Sequence, residues 1–345
     1  MIVRYLGVRP GPSIEESCCV DGVSIGGGHD IILDHVSASW AVDENVNSWY
    51  DPHDFTIQWS IISEGLYNST HEKGPHSMGL MLGSDGSRNI SVHHNLFAHN
   101  SERNPRIKTS GTVDVVNNVV YNYGIDAARL SNDYGDLPVN YVGNFVKTGA
   151  DSKLSTNEIE ISPKDSYTIT LYVKGNIGPH RPSDDMDESL VVSPTGRQWI
   201  VPTRHEAPLV TTTSAFEAYD QVLANAGATI GLDSQGSSYW RRDAVDERIV
   251  DDVRNGTGRI IDDPSEVGGW PQLLAGTAPA DTDHDGMPNE WETTWGFNPC
   301  NSSDGPGDAD GDGYTNVEEY LNRTDPGSGS ATDSCIYFYL PLVVK

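Results

Sequence analysis

The sequence of 345 residues is poor in basic residues and cysteines and has no long apolar run. Its 22 lysines and arginines are outnumbered by 50 aspartates and glutamates, for a formal net charge of −28, which argues against a nucleic-acid partner. Four cysteines are too few for a disulfide scaffold. Because no stretch of 18 apolar residues occurs, no transmembrane helix is predicted, and residues 1–5 lack the apolar segment of a signal peptide.

A strand-and-turn pattern recurs over residues 1–180. The positions that we take as equivalent follow one another at steps of 24, 35, 23, 26 and 32 residues. They are Val36, Ser60, Asn95, Asn118, Asn144 and Asn176. Such irregular steps are typical of short strands joined by loops of variable length. Because no single unit can bury its apolar face alone, the pattern predicts a β-solenoid with an internal amide ladder. A β-sandwich with chance asparagine turns is the alternative.

Two helices are predicted after the repeats. Residues 215–226 have helical spacing, preceded by hydroxyl side chains that can cap a helix and followed by Gly227 as the stop. A second short helix is predicted over residues 243–253, ending near Gly256. We expect both helices to cover the solenoid.

The acidic end of the chain contains two loops of the same design. From Asp281 onward, thirteen acidic residues face two strong bases, so this part carries about −11. Each loop has carboxylates at positions 1, 3, 5 and 12 and glycine at position 6, which is the spacing that wraps one Ca²⁺. The predicted ligands are Asp281, Asp283, Asp285 and Glu292 in the first loop and Asp308, Asp310, Asp312 and Glu319 in the second. The module resembles calcium-binding modules of the dockerin and thrombospondin type 3 kind.

The predicted organisation has three parts. A solenoid domain covers residues 1–275, a calcium-binding module residues 276–328, and an apolar tail residues 329–345. The tail is too short to cross a membrane, so we interpret it as a docking strand or a sorting tail. Cys300 and Cys335 bracket an acidic loop and would form a bridge in an exported protein, a question that the sequence leaves open.

Oxygen ligands and basic residues are spaced to share one face of the solenoid. Asp43 and Asn47 lie four residues apart and therefore project to the same side of an extended chain. Asp21 precedes Asp43 by 22 residues, close to one coil, and Arg103 belongs to a later coil. Oxygen ligands beside guanidinium groups suit a site that binds a carboxylate through Ca²⁺ and clamps it with arginine and lysine.

Several segments resemble the pectate lyase family of right-handed parallel β-helix enzymes. They are VRYL at 3–6, ILDHV at 32–36, HEKGPHSMG at 71–79, HHNLF at 93–97 and RNPR at 103–106. The similarity extends over roughly residues 2–272, and RNPR is its most specific part. It implies an all-β fold, a right-handed parallel β-helix with short covering helices. It also implies a secreted, monomeric polysaccharide lyase that acts on polygalacturonate.

The resemblance also implies roles for individual residues. Asp21, Asp43 and Asn47 match Ca²⁺ ligands, and Arg103 matches the Brønsted base. Lys108 matches a second basic residue that holds the substrate carboxylate, and we expect Arg106 to assist it. The implied reaction is β-elimination. We expect an alkaline optimum because like-charge repulsion from Arg106, Lys108 and Ca²⁺ would lower the pKa of Arg103.

The sequence departs from the family pattern in three ways. Asn47 replaces a carboxylate, which removes one charge from the Ca²⁺ site. Ser77 and Met78 stand where the family has a lysine, so we expect Lys73 or His76 to substitute for it. The first coils and the amino-terminal cap of the family have no match here, which leads us to expect a longer precursor.

Two other functions fit part of the sequence. A β-helix polygalacturonase would use Asp21 and Asp43 as its carboxylates without calcium, but Arg103 would then have no role. A non-catalytic, calcium-stabilised carbohydrate-binding or adhesion solenoid would agree with the missing coils and the missing lysine. Preference for methyl esterification and endo or exo action stay open.

Overall fold

A computed structural model describes residues 1–12, 19–272 and 276–327 of the chain. Its strands are β1 (Ile2–Arg4), β2 (Gly7–Val8), β3 (Val23–Ile25), β4 (His29–Asp34), β5 (Ser37–Ser39), β6 (Glu44–Ser48), β7 (His53–Gln58), β8 (Ile61–Ser63), β9 (Met78–Leu82), β10 (Arg88–His93), β11 (Leu96–Ala98), β12 (Arg106–Ile107), β13 (Val113–Val116), β14 (Val119–Tyr121), β15 (Ala128–Leu130), β16 (Leu137–Val142), β17 (Phe145–Lys147), β18 (Ile159–Ile161), β19 (Ile169–Lys174), β20 (Ile230–Leu232) and β21 (Ser238–Trp240). The α-helices are α1 (Ala215–Asn225), α2 (Ala244–Asn255), α3 (Asn289–Trp295) and α4 (Asn316–Asn322), with 3₁₀ helices at Glu188–Val191, Arg197–Trp199 and Pro264–Val267.

The chain divides into two compact units. The first contains residues 1–229 and 242–271, and the second contains residues 230–241 with the described part of 272–345. The inclusion of residues 230–241 in the second unit was not expected from the sequence. The domain limits that we gave from the sequence stay predictions.

The first unit is built from three parallel sheets. Sheet A has the strand order β1-β4-β7-β10-β13-β16-β19, sheet B the order β17-β14-β11-β8-β5-β2, and sheet C the order β18-β15-β12-β9-β6-β3. From β1 to β18, each successive group of three strands contributes one strand to each sheet, and every pair within these sheets is parallel. The predicted right-handed parallel β-helix is confirmed, and with it the all-β class with short helices.

Apolar side chains stack between the coils in straight columns. In sheet A the paired positions Leu33, Ile57, Val92, Val115 and Tyr141 are all buried in one core cluster. Each buried side chain of this size stabilises the fold by roughly 1.5–3 kcal/mol. Because only stacked coils create such columns, neither a single coil nor its strands would be stable alone.

The predicted amide ladder is present at the corner between sheets A and B. The Nδ2 group of Asn95 donates to Oδ1 of Asn118, that of Asn118 to Asn144, and that of Asn144 to Asn176, each at 3.0 Å. At the other end, the Ser60 amide donates to Oδ1 of Asn95 at 2.9 Å. The equivalence of these positions was therefore predicted correctly.

The residue before each ladder position has a left-handed backbone. The φ angles are 52° at His35, 48° at Trp59, 55° at His94, 53° at Asn117 and 63° at Gly143. This conformation turns the chain from sheet A into sheet B, and it is unfavourable for bulky residues. The rings of Trp59 and His94 stack with their centroids 4.4 Å apart, which offsets part of that cost.

Helices α1 and α2 cover sheet B and match the two predicted helices. Ser214 and Glu217 form a capping box at the start of α1. Asp243 caps α2, and Gly256 ends it with φ 71°. Buried residues of both helices pack in one cluster with residues of β8, β11 and β14. Among the residues that the structure describes, no helix is long and apolar enough to span a membrane.

The second unit combines the antiparallel hairpin β20–β21 with α3, α4 and the two acidic loops. Trp291 contacts Phe297 and Tyr320, at ring-centroid distances of 5.7 and 5.4 Å. Cys300 is exposed, and it forms no disulfide with any residue that the structure describes. Cys335 and the predicted tail over residues 329–345 lie outside the described residues.

Candidate active site

Sheet C positions the predicted site residues in a row. The strand register places Asn47 beside Met81, Met81 beside Arg106, and Arg106 beside Arg129. Their neighbours along each strand are buried core residues such as Leu82, and side chains alternate along a strand. The row therefore lies on the outer face of sheet C and leads from the predicted Ca²⁺ ligands to the predicted basic residues.

Three carboxylates converge at the acidic end of this row. One oxygen each of Asp21, Asp43 and Glu44 lies within 4.8 Å of the others. Asp21 accepts a hydrogen bond from the Glu44 amide at 3.1 Å and another from Nδ2 of Asn47. Burial raises the pKa of Asp21 to about 6, and the charge of Asp43 adds to the rise. The donor set consists of hard carboxylate oxygens with a net negative charge, which fits Ca²⁺.

Glu44 and Asn47 differ from what the sequence predicted for this cluster. Glu44 was not predicted, although it follows Asp43 directly. Neighbouring residues of a strand face opposite sides, but Glu44 is the first residue of β6 and Asp43 lies in the bend before it, so both carboxylates can reach one site. Asn47 holds Asp21 by its amide nitrogen, so it contributes to the orientation of the cluster.

A pair of histidines borders Asp43 on another side. His71 Nε2 lies 3.5 Å from one Asp43 oxygen and His76 Nε2 lies 3.4 Å from the other. The two imidazoles stack at 3.6 Å between centroids. Burial lowers the pKa of His76, and the neighbouring His71 adds to this effect. Lys73 is exposed, so of the two proposed lysine substitutes it is His76 that lies beside the carboxylates.

Arg103 lies directly beside the acidic cluster. Its backbone is left-handed, with φ 64°, and its Nη1 forms an ion pair with the Glu44 carboxylate. Burial lowers the pKa of Arg103, and Arg106 adds to this, whereas Asp43 and Asp21 oppose it. The direction of the shift agrees with our expectation, but its main cause is loss of hydration and not like-charge repulsion.

Two further basic residues continue the row. Burial lowers the pKa of Arg106 and of Lys108. The buried Nε of Arg106 has no hydrogen-bond partner within the described ranges. Arg129 is different, because Asp126 binds its guanidinium through two contacts of 2.6 and 2.7 Å. Arg106 and Lys108 are therefore the residues suited to bind an external anion.

The acidic loops of the second unit also bring carboxylates together. The first cluster consists of Asp283, Asp285, Glu292 and Asp304, and the second of Asp308, Asp310 and Asp312. Burial raises the pKa of Glu292 and of Glu319 to about 7, with the nearby aspartates adding to the rise. Both oxygens of Glu292 and Oε2 of Glu319 are buried and find no hydrogen-bond donor in the part of the chain that the structure describes. Such groups fit bound cations.

Asp281 and Asp304 modify the predicted ligand set. The two oxygens of Asp281 accept the amides of His284 and Gly286, at 2.8 and 3.2 Å. Asp304 was missed because it belongs to neither loop and no spacing rule includes it. Only the folding of the chain between α3 and the second loop places it beside Glu292.

No protein-family model matches the sequence. The chain is similar to probable pectate lyase C of Aspergillus flavus, with 32% identity over 337 residues that cover 95% of this chain and 73% of that protein. Probable pectate lyase C of Emericella nidulans is 31% identical over 340 residues, covering 97% and 73%. The chain belongs to the pectate lyase family. It is accordingly a polysaccharide lyase, as the sequence predicted.

Solved structures of pectate lyases are more distant. Pectate lyase Bsp165PelA from Bacillus sp. N165, in complex with trigalacturonate, has a TM-score of 0.47 and 16% identity, covering 66% of this chain and 67% of that one. Pectate lyase II from Xanthomonas campestris has a TM-score of 0.41 and 16% identity, covering 66% and 69%.

Proposed function

We propose that this pectate lyase cleaves polygalacturonate by Ca²⁺-dependent β-elimination. The observation that carries the proposal is the contact between Arg103 and Glu44. The supporting observation is that this partly buried guanidinium feels the charges of Asp21 and Asp43 on one side and of Arg106 on the other. One site then offers ligands for a cation, a base and a binding group for an anion.

Calcium binding is assigned to Asp21, Asp43 and Asn47, as predicted, with Glu44 as an additional carboxylate. The support is the convergence of three carboxylate oxygens within 4.8 Å. Bound Ca²⁺ would supply positive charge that neutralises the carboxylate of a galacturonate unit and makes its C5 proton more acidic. In the second unit, the loops that end in Glu292 and Glu319 would bind Ca²⁺ in a structural role.

The substrate carboxylate is assigned to Arg106 and Lys108. Both side chains are partly buried cations, and a carboxylate would restore the hydrogen bonding and charge balance that burial removes. His76 lies beside Asp43 in the region where the family lysine has no match. We therefore propose that His76, with Lys73 further out, contacts the substrate.

Arg103 is assigned as the base. In its neutral form the guanidine takes the C5 proton, and the electrons of that bond form the C4–C5 double bond. The C4–O bond of the glycosidic linkage breaks, and the departing oxygen takes a proton from solvent. Products are a 4,5-unsaturated end and a new free end. Burial favours the neutral guanidine that this step requires.

The geometry favours this reaction over hydrolysis. Glycosidase carboxylates flank the scissile bond at separations of about 5–9.5 Å. Here one oxygen each of Asp21, Asp43 and Glu44 lies within 4.8 Å of the others, as ligands of one cation do, and the adjacent Arg103 would have no role in hydrolysis. We further propose that the enzyme acts outside the cell, as a monomer.

The test is the ultraviolet absorbance of polygalacturonate incubated with the protein, with Ca²⁺ and separately with a chelator. We expect a Ca²⁺-dependent rise, because the unsaturated product absorbs. Release of reducing ends without absorbance would indicate a hydrolase, and the absence of either product from folded protein would indicate a binding solenoid. Equal rates with and without the chelator would contradict the role of calcium.

A further inference from the structure

The first acidic cluster includes a residue from outside both calcium loops. Asp304 shares the cluster with Asp283, Asp285 and Glu292, with one oxygen of each within 4.8 Å of the others. Oδ2 of Asp304 accepts the amide of Asn298 at 3.0 Å. Its Oδ1 is buried and has no donor among residues 276–327 or elsewhere in the described chain, and the same holds for both oxygens of the fully buried Glu292.

The backbone of Asp304 contacts the second loop. Its carbonyl oxygen accepts Nδ2 of Asn316 at 2.7 Å and the amide of Gly307 at 2.9 Å. Asn316 is 2% exposed, and its Oδ1 accepts the amide of Ala309 inside the second loop at 3.1 Å. Asp304 therefore directs its side chain to the first cluster, and its main-chain carbonyl contacts Asn316 of the second loop.

The turn over residues 304–307 is packed tightly between the two loops. A Cβ atom at Gly305 would lie 2.7 Å from Oδ2 of Asp285 in the first loop. The carbonyl oxygen of Gly305 accepts the amide of Val317 in α4 at 3.0 Å. Helix α4 also carries Glu319, the last carboxylate of the second loop. A shift of this turn would therefore move ligands of both loops.

We infer that Asp304 is a ligand of the first calcium ion and that the turn over residues 304–307 couples the two ions, so that filling the first loop promotes filling of the second. The inference rests on the proposed calcium binding by the second unit. With Asp304, five carboxylates surround the first loop and four belong to the second, so the first should bind more tightly. Coupling of this kind is reciprocal, because each ion must change the affinity for the other by the same factor.

Two glycine amides allow each loop to be followed separately. Gly286 donates to Asp281 at 3.2 Å, and Gly313 donates to Asp308 at 3.1 Å, so each amide reports on its own loop. We would titrate Ca²⁺ into the full chain labelled with ¹⁵N-glycine and record both signals by NMR. In the unsubstituted protein, Gly286 should respond at a lower Ca²⁺ concentration than Gly313.

The ligand role is tested by Asp304→Asn, with Glu290→Gln as the matched control. Glu290 is an exposed acid of α3, so its substitution removes the same charge from the same unit. Asp304→Asn should raise the Ca²⁺ midpoint of Gly286 at least tenfold, and Glu290→Gln should change it less than twofold. An unchanged midpoint in Asp304→Asn would overturn the assignment.

The coupling is tested by one substitution in each loop. Glu292→Gln should raise the midpoint of Gly313 about fivefold or more, and Glu319→Gln should raise that of Gly286 by a similar factor. If each substitution affects only its own loop, the coupling is wrong. If neither glycine responds to Ca²⁺ in the unsubstituted protein, the calcium proposal for this unit fails, an outcome distinct from the other two.

Discussion

The two units bury polar side chains in opposite ways. In the β-helix, Asn118 donates to Val92 and Asn144 and accepts from Asn95, so its buried amide is fully bonded by the chain itself. In the second unit, the equally buried Glu292 has two oxygens that no other described residue contacts by a hydrogen bond. The first arrangement needs nothing but folding, whereas the second would be completed by the cation that we propose for it.

The candidate active site is intermediate between these two arrangements in how fully the chain itself satisfies its buried carboxylates. Glu44 is paired with Arg103, and Asp21 is bonded by Asn47 and Ser24. Burial, with the charge of Asp43 adding to it, nevertheless raises the pKa of Asp21 to about 6, so the chain alone does not fully stabilise this carboxylate in its charged form. A site that the protein neutralises only in part can keep its fold without the ion and still depend on the ion for its chemistry.

Removal of calcium should produce the largest difference in stability between the two units. A chelator should abolish the cooperative unfolding of the second unit, since calcium at a thousand times its dissociation constant would stabilise that unit by about 4 kcal/mol. The β-helix transition should change little. Differential scanning calorimetry with and without calcium measures both. Equal destabilisation of the two transitions would contradict the comparison.

Arg103→Lys should lower kcat by about 100-fold or more, as expected for loss of a general base. Lysine keeps the charge but not the planar guanidinium that reaches Glu44. The rate of absorbance increase on polygalacturonate measures the effect. The control is Arg259→Lys, whose side chain is 58% exposed. An Arg103→Lys variant with more than a tenth of the activity would argue against Arg103 as the base.

Asn118→Ala should destabilise the β-helix by about 3 kcal/mol, because it leaves several buried groups without a hydrogen bond. The carbonyl of Val92 loses a donor, and the backbone and side-chain amides of Asn95 lose their acceptor, whereas Oδ1 of Asn144 keeps the backbone amide of residue 118. Denaturant unfolding of the first unit measures this loss, and Asn68→Ala, at an exposed position, should have little effect. A similar cost for both variants would show that the ladder contributes no special stability.

The smallest expected effect is the loss of folding stability at acidic pH. Burial lowers the pKa of His94 to about 4, so the folded chain keeps this ring neutral where the unfolded chain binds a proton. The resulting stability is complete above about pH 6.5 and is lost as the pH falls toward 4, amounting to roughly 2 kcal/mol by pH 4.5. Burial acts in the same direction on His93, whose pKa is lowered to about 3.

His94→Asn should therefore weaken the loss of stability between pH 7 and pH 4.5. Asparagine suits the position, since Asn117 occupies the same corner in the next coil with φ 53°. Denaturant midpoints across this pH range measure the slope. His29→Asn is the control, because the His29 side chain is 63% exposed. An unchanged slope in His94→Asn would exclude this ring as a source of acid sensitivity.

The sequence predicted features that follow from local pattern. The steps between Ser60 and Asn176 were enough to align the ladder, because stacked coils impose one register on every turn. Both covering helices were predicted because Ser214, Asp243 and Gly256 are strong end signals. Family membership of the whole chain confirmed the enzyme class inferred from the short motifs.

The features that were missed depend on contacts between distant segments. His71 reaches Asp43 because a long loop returns to sheet C, and no periodicity describes that loop. Asp304 joins Glu292 for a similar reason. The main cause that lowers the pKa of Arg103 was misjudged because burial depends on tertiary packing, whereas the nearby charges of Arg106 and Lys108 are visible in the sequence. The individual site roles stay predictions.

The longest step of the ladder, 35 residues from Ser60 to Asn95, has a consequence for how such an enzyme can change. Its additional length lies in the loop between β8 and β9, which carries His71 and His76, while the strands on either side keep their register. An insertion or deletion there would alter the groups that border Asp43 without shifting any coil. Changes in this one loop can therefore alter the side chains at one end of the site during evolution, while the amide ladder keeps the coils in register.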